Sequence, residues 1–445
     1  MAAMFRQRVT SIQDVMYDME SNLGGFSYSN AMAQQAVHEK LVSLFRRHGA
    51  IKLSTSLLVP RTSLFDQLEL AVSVMDHSGT IVTLPYDLRI PFARFVAQRE
   101  IPSMKRYDIG VVYRDKRAGF GTNPTELLEC TFDIVSGSNE DQVSVAEVLL
   151  VVAEIIKEFP SLEGRNYFIR INHTVIMKSV FVSCGVPEDK HEELFAILQD
   201  TNTDKLRKAQ IYELLENLQV SEQLASVLCA FLSFEGSVGK LKEQLPAILQ
   251  RRAPKRASAQ AVRELEALHA HALAFGVKLR MVFNPSLVYN IQHFSGLIFQ
   301  FVAVNQRKKK RGGVDILAAG GRYDKLISYF RPATDAGHQA IGAVGVSIGF
   351  EKIVTAVLDD KETLLPDSCD VLVCSTGNNS MMDERIRIAQ ELWCAGVKTS
   401  LFYYGSRNLY SLEDLQDYCR QMKVGFMVLM KEQESGWVKV SRTTG

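Results

Sequence analysis

Apolar residues recur at helical spacing across 31–48. Val37, Leu41, Leu44 and Phe45 share one face, and Gly49 lies just beyond the last turn. The pattern then shortens. Strand-like runs at 57–59, 80–84, 109–113 and 130–135 alternate with turn-forming residues, which predicts a mostly antiparallel sheet rather than repeated βαβ units. A helix is predicted over 143–159 and a strand over 167–172. From about 187 to 276 the chain reads as almost wholly helical. Ser221 is a candidate N-cap there, ahead of Leu224, Val227, Leu228 and Phe231 at i, i+3, i+4 and i+7. Strands resume at 278–283, 297–304 and 314–318.

Beyond 361–367 the rhythm changes again. An apolar strand at 371–374 precedes a helix carrying Ile388, Leu392 and Trp393 and ending near Gly396. Ser411 and Asp414 form a capping-box pattern for a helix with Leu412, Leu415, Cys419 and Met422 on one face, and a strand follows at 426–430. This alternation predicts a small α/β domain. The divisions expected are an N-terminal segment (1–29), a sheet core in two parts (30–186 and 277–360), a helical insertion (187–276) and the α/β domain (369–445).

Composition narrows the class. With 445 residues, 47% hydrophobic and 23% charged, the chain is long enough for several cores and is not of disordered type. The net charge of +1 gives a nucleic-acid reading no support and does not exclude it, because local clusters decide binding. Two such clusters are Arg307, Lys308, Lys309, Lys310, Arg311 and the group Arg251, Arg252, Lys255, Arg256. Seven scattered cysteines include no C-x-x-C pair and no zinc spacing, so no metal and no cofactor is expected. An odd cysteine count, no membrane-length apolar run and no signal segment point to a cytoplasmic protein.

Five co-linear segments carry a resemblance. Leu84-Pro85-Tyr86-Asp87-Leu88-Arg89-Ile90-Pro91-Phe92-Ala93-Arg94 resembles a signature of eukaryotic histidyl-tRNA synthetases. Val112-Tyr113-Arg114, continuing to Glu126 and Cys130-Thr131-Phe132-Asp133-Ile134, is similar to class II motif 2. Ala318-Ala319-Gly320-Gly321-Arg322-Tyr323-Asp324 resembles the family's glycine turn, and Gly345-Val346-Ser347-Ile348-Gly349-Phe350-Glu351-Lys352 its motif 3. The terminal α/β unit resembles the anticodon-binding domain, whose last helix is missing after Ser441, as if the chain were cut from a longer one. The resemblance implies an α+β class II synthetase-like core with an antiparallel sheet, a helical insertion and a C-terminal anticodon-binding-like domain.

The family's chemistry joins a carboxylate to the α-phosphate of ATP, and forked guanidinium groups suit the growing negative charge. The resemblance places three arginines there. Motif 2 keeps Arg114. Tyr289 stands at the second position and Lys352 at the third. Around the amino-acid pocket, Asp87 and Asp133 match pocket carboxylates, Arg89 replaces a threonine and Glu129 a glutamine. Gln292, His293 and Phe294 complete the altered wall, with His293 and Phe294 replacing tyrosines. Arg89 is positioned to pair with either carboxylate and fill the ligand's space. His293 reads as a satisfied pocket residue on a strand. The glycines Gly320, Gly321, Gly345 and Gly349 remain, so fold residues are kept and charge residues lost.

Among such proteins the pattern most resembles the regulatory domain of the general-control kinases that phosphorylate the α subunit of translation initiation factor 2. The chain itself holds no kinase glycine loop, H-R-D or D-F-G. The resemblance implies a non-catalytic homodimer that binds uncharged tRNA and regulates kinase and other domains of the same polypeptide. Tyr113, Arg114, Lys116 and Arg117 are the tRNA-contact candidates. A structural ion pair is the bland reading of Arg114, and a solvated hairpin tip that of the run 307–311. Ser56 stands where motif 1 commonly has proline. Two other readings stay open: a divergent active histidyl synthetase, and a dimerisation scaffold without tRNA.

Overall fold

The structure is a computed structural model that describes residues 28–62, 70–115, 124–137, 142–199, 204–249, 254–289, 293–304, 314–331, 341–360, 369–376, 381–403, 411–422, 424–431 and 438–443. It divides into two compact units. Val37–Asp360 belongs to the first, and Lys361–Gly445 with Ser27–Ala36 forms the second.

In the first unit the early strands are short: β1 (Ile51–Lys52), β2 (Val59–Pro60), β3 (Ser73–Met75) and β4 (Ile81–Thr83). Longer ones follow: β5 (Met104–Arg114), β6 (Thr125–Ser136), β7 (Phe168–His173), β8 (Met281–Phe283), β9 (Leu297–Val304), β10 (Val314–Arg322) and β11 (Gly342–Ile348). Eight of these make one sheet in the order β1-β5-β6-β11-β10-β9-β7-β8, and β2-β4-β3 make a small one. All neighbours in the large sheet are antiparallel except β1 with β5 and β7 with β8. The expected antiparallel core is therefore present.

One face of this sheet is closed by the helix Gln142–Glu158, whose Val145, Leu149, Val152 and Ile156 follow helical spacing. Val148, Val151 and Ile155, on its other side, are equally buried, because the helix Lys255–Ala274 packs over it. A helix apolar all round has to be covered twice. The opposite face carries the helix Arg89–Arg99, which buries Ile90, Phe92, Ala93 and Val96 against Val135, Ile298, Tyr323, Leu326 and Ala343.

Between β7 and β8 the chain is helical: His191–Gln199, Asp204–Asn217, Glu222–Leu232, Val238–Ile248 and Lys255–Ala274. The Ser221 hydroxyl accepts from the Leu224 N–H at 3.5 Å, as its N-cap pattern predicts. The second unit is a four-stranded sheet of β12 (Val371–Thr376), β13 (Thr399–Leu401), β14 (Phe426–Lys431) and β15 (Val438–Arg442), in the order β13-β12-β14-β15. Its helix Leu412–Met422 starts with a reciprocal box: the Ser411 hydroxyl accepts from the Asp414 N–H, and the Asp414 carboxylate accepts from the Ser411 N–H. Among the described residues, no helix is long and apolar enough to cross a membrane.

Some local expectations need correction. The run at 57–59 pairs only from Val59, and the strand expected to stop at 318 continues to Arg322. His293 sits in a turn rather than on a strand. The strand Gly342–Ile348 and the helix Arg89–Arg99 have no counterpart among the predicted elements. Glycines dilute the first, and Pro91 near the start of the second is tolerated because its missing N–H falls in the first turn.

The end of the helix Tyr28–Arg47 is fixed electrostatically. Its last turns close around Gly49 at φ 75°, a left-handed conformation that suits glycine. Just before it, His48 bridges two carboxylates of the helix Gln142–Glu158: Nδ1 lies 3.2 Å from Glu147 and Nε2 3.0 Å from Glu154. Lys105 donates to Glu147 at 2.6 Å. A neutral imidazole has one N–H, so both contacts are hydrogen bonds only in the cation. The Glu147 contact raises the His48 pKa above its usual 6.5 against the opposing effect of burial, and Glu154 adds to the rise. Glu147 is shifted below its usual value because His48 and Lys105 together overcome its burial.

A pKa raised on folding gives stability that is complete below the unfolded value and lost as pH climbs through the folded one. Stability of the first unit is therefore expected to fall as pH rises from the usual histidine value of 6.5 through the raised folded pKa of His48. The variant His48→Gln, which keeps a neutral donor, removes that slope. Urea denaturation followed by far-UV circular dichroism tests this, since Trp393 and Trp437, the two tryptophans, both lie in the second unit. Parallel pH profiles for the two proteins would contradict it.

Candidate functional site

The site is organised by the segment 84–88, whose backbone is satisfied largely by β5 and β6. The Leu84 N–H donates to the Val72 carbonyl at 2.9 Å, and the Tyr113 N–H donates to the Pro85 carbonyl at 2.9 Å. Arg114 donates to the carbonyls of Tyr86 and Tyr113 and lies 3.5 Å over the Tyr86 ring. Among the described residues its hydrogen bonds go to these two carbonyls. Arg106 donates to the Leu88 carbonyl at 2.7 Å, and the Leu88 N–H donates to Glu129 at 2.9 Å.

Asp87 then caps the helix Arg89–Arg99. Its Oδ1 accepts from the N–H groups of Arg89 and Ile90 at 3.1 and 2.8 Å, so the carboxylate compensates the helix N-terminus.

Beneath the cap lies Asp133, with no exposed surface. It accepts from Arg106 Nε at 3.1 Å and from the Tyr323 hydroxyl at 3.0 Å. Arg106 also donates to the Leu53 carbonyl at 3.1 Å and stacks 3.7 Å over Phe92, so its buried charge is paired and its plane is packed. Burial raises the Tyr323 phenol far above its usual range, and the Asp133 charge pushes it further the same way, so it stays a donor. A Cβ added at Gly345 would sit 1.9 Å from Asp133 Oδ1, and one at Gly320 would sit 2.2 Å from the Gly345 carbonyl. The motif glycines here are close-approach positions.

Glu129, beside this pair, accepts from the Ser347 hydroxyl at 2.7 Å. Burial raises its pKa, and the Asp87 charge adds to the rise. Arg89 enters the space between these acids. Its Nη2 donates to Ser347 Oγ at 3.1 Å, its Nε is 3.9 Å from Asp133 Oδ1, and its guanidinium lies 5.2 and 5.7 Å from the Phe294 and Tyr323 rings. Only 3% of Arg89 is exposed. Burial opposes its charge, and Asp133, Asp87 and Glu129 outweigh burial, so it is held cationic.

His293 closes the wall, 2% exposed, with Nδ1 3.9 Å from Asp87 Oδ2. Burial lowers its pKa and keeps it neutral. It was expected to be satisfied. Instead Nδ1 has no hydrogen-bond partner among the described residues.

The two altered arginine positions are committed elsewhere. The Tyr289 hydroxyl donates to the Gly320 carbonyl at 2.6 Å, its ring packs against Phe294, and burial raises its pKa far out of reach. Lys352 donates to the Ile316 carbonyl at 2.5 Å and to Asp315 at 3.1 Å, which ties it to β10.

The structure thus brings Asp87, Arg89, Glu129, Asp133 and His293 together, with Arg114 at the outer end of the segment 84–88. Lys116, Arg117, Gln292 and the run 307–311 lie outside the described residues. Sequence reasoning missed Arg106 and the anchoring role of Ser347. Arg106 was within reach, since equal counting back along both arms of the β5–β6 hairpin sets it opposite Asp133. Among the described residues no group of acidic, histidine or cysteine side chains could hold a metal ion.

A mixed sheet of this order, with a separate small α/β unit, defines the class II aminoacyl-tRNA synthetase fold. The histidyl-tRNA synthetase from Nostoc sp. PCC 7120 superposes with a TM-score of 0.70 at 17% identity, over 92% of this chain and 93% of that one. A histidyl-tRNA synthetase family model matches residues 26–353, and a model of the anticodon binding domain of tRNAs matches 365–444. The chain belongs to the histidyl-tRNA synthetase family. It is 41% identical over 448 residues to the eIF-2-alpha kinase GCN2 of Homo sapiens, which covers 99% of this chain and 26% of that protein. It is 29% identical over 430 residues to the histidine–tRNA ligase of Danio rerio, covering 90% of this chain and 80% of that one. The chain therefore spans about a quarter of the length of the kinase relative.

The close approach at Gly345 gives a direct test. In Gly345→Ala the new methyl displaces the Asp133 carboxylate from Arg106 and Tyr323, which is expected to cost about 3–5 kcal/mol. Thermal denaturation should show a large fall in melting temperature, or no folded protein at all. A melting temperature close to wild type would show that the carboxylate has room to move.

Proposed function

We propose that this chain is a non-catalytic synthetase-like regulator. It binds uncharged tRNA as a homodimer and controls a linked serine/threonine kinase that phosphorylates the α subunit of translation initiation factor 2 during amino-acid starvation. The observation that carries the non-catalytic part is the commitment of Tyr289 and Lys352 to the fold, at Gly320 and at Asp315 with Ile316. Removing one preorganised donor typically costs about 10²–10³ in rate. Here one cation is absent, and the other is a point charge tied to β10.

The likeness to the kinase GCN2 supports the regulatory part, and the match to an anticodon-binding domain supports tRNA as the ligand. Tyr113 and Arg114, part-buried at the end of β5, with Lys116 and Arg117 after them in the sequence, are the proposed tRNA contacts, and the Tyr86 and Tyr113 carbonyls hold the Arg114 guanidinium in place there. For the homodimer, the support is an apolar surface around the small sheet. Leu57, Leu58, Val74, Met75 and Ile81 are all exposed, and Met75 and Ile81 are a cross-strand pair. Single exposed apolar residues are ordinary, whereas a cluster on one small sheet favours burial against a second copy.

In filter binding over a salt series, deacylated tRNA should bind with an affinity that falls steeply as salt rises, and aminoacylated tRNA more weakly. ATP–pyrophosphate exchange with histidine should be absent from the same sample. Exchange at an ordinary synthetase rate would return the chain to the active enzymes, and exchange-free protein without tRNA affinity would leave a scaffold. Separately, Met75→Asp with Ile81→Asp should shift the sedimentation coefficient from dimer to monomer. An unchanged value would remove this surface from the dimer reading.

A further inference from the structure

We infer that the buried acidic pocket is a receptor for a planar cation and that the chain fills it with its own Arg89, which acts as a tethered ligand. Three carboxylates, Asp133, Asp87 and Glu129, act on the buried Arg89 guanidinium. Arg106 is spent on Asp133 and on the Leu53 and Leu88 carbonyls, so it compensates only one of them. The second positive charge is Arg89. Two aromatic faces, Phe294 and Tyr323, flank its guanidinium, as cation–π contacts require. Ser347 is aligned as a relay: it donates to Glu129 and accepts from Arg89.

Two features mark the seat as shaped for a cation and imperfectly filled by this one. Arg89 Nε has no hydrogen bond among the described residues and stands 3.9 Å from Asp133 Oδ1, well beyond a charge-assisted bond. His293 Nδ1, in the same wall, is likewise unbonded. The tether explains the misfit, because the Arg89 backbone is pinned by Asp87 at the first turn of its helix. A free planar cation, released from that anchor, has the freedom to close the gap.

The inference goes beyond the proposed function and does not rest on tRNA binding. Its consequence is that the pocket is filled whatever the supply of free amino acids, so starvation cannot be reported by an amino acid entering or leaving it. Information on charging has to arrive through the tRNA or another surface.

The test is chemical replacement in the whole 445-residue chain. Arg89→Ala should melt below wild type. Methylguanidinium at low millimolar concentration should raise its melting temperature by about 1–3 °C near ten times the dissociation constant, whereas sodium chloride and urea at equal concentration do not. Wild type should show no rise with methylguanidinium or with free cationic amino acids. A rise in wild type would overturn the inference, since the seat would then be vacant. So would an Arg89→Ala protein that responds to methylguanidinium no differently from sodium chloride. Should Arg89→Ala fail to fold, Arg89→Met supplies the second arm. Adding Glu129→Gln, which removes one unmatched carboxylate, should raise its melting temperature or its folded yield. No gain from the second substitution would count against Arg89 as the compensating cation.

Discussion

Everything around the pocket depends on one carboxylate that has no access to water. Asp133 projects from the middle of the large sheet, and a lone charge there would be intolerable. Arg106, opposite it on the next strand, and the Tyr323 hydroxyl, from the turn after β10, make it tolerable. Those two partners fix the rest. Arg106 reaches on to the Leu53 and Leu88 carbonyls and so anchors the segment that leads into the helix Arg89–Arg99. Tyr323 positions the helix Asp324–Tyr329, which packs against that same helix. Both layers on this face of the sheet are thus referred to a single buried charge.

The buried acids also explain how the pocket keeps its shape. A binding site walled by carboxylates repels itself unless a cation enters. Arg89 supplies that cation from within the fold, and Glu129 answers the residual excess by a raised pKa. The neutral His293 adds no charge to the balance. Along the segment 84–88, backbone carbonyls take up the remaining guanidinium groups, Arg106 at its inner end and Arg114 at its outer end.

Much of this was legible in the residues. The apolar periodicity of the helix Gln142–Glu158, the Ser221 cap, the Ser411–Asp414 box and most strands of the large sheet follow from local pattern. The strand Gly342–Ile348 did not, because its glycines lower strand propensity. Gly345 is there for the approach of Asp133, which is a tertiary requirement. The helix Arg89–Arg99 was obscured because its Arg89 and Pro91 are buried along with its apolar residues, so no polar face alternates with an apolar one. At the site, the identity of Arg89 pointed to its place beside the carboxylates, since a long cation stands at a small residue's position. Arg106 stayed hidden in the charged run Lys105, Arg106, Asp108, which resembles a solvated edge until strand pairing buries it.

The contact between Gly345 and Asp133 bears on how such a chain can change over generations. Any side chain at Gly345 displaces Asp133, loss of Asp133 strands Arg106, and loss of Arg106 frees the carbonyls of Leu53 and Leu88. A single substitution at Gly345, Asp133 or Arg106 is therefore expected to give a less stable protein. Selection for folding alone therefore holds these positions, even where selection for adenylate chemistry has lapsed. A lineage that stopped making adenylate would keep motif glycines and a pocket aspartate as a mechanical inheritance. Their presence in a sequence is a record of architecture and carries no vote on activity.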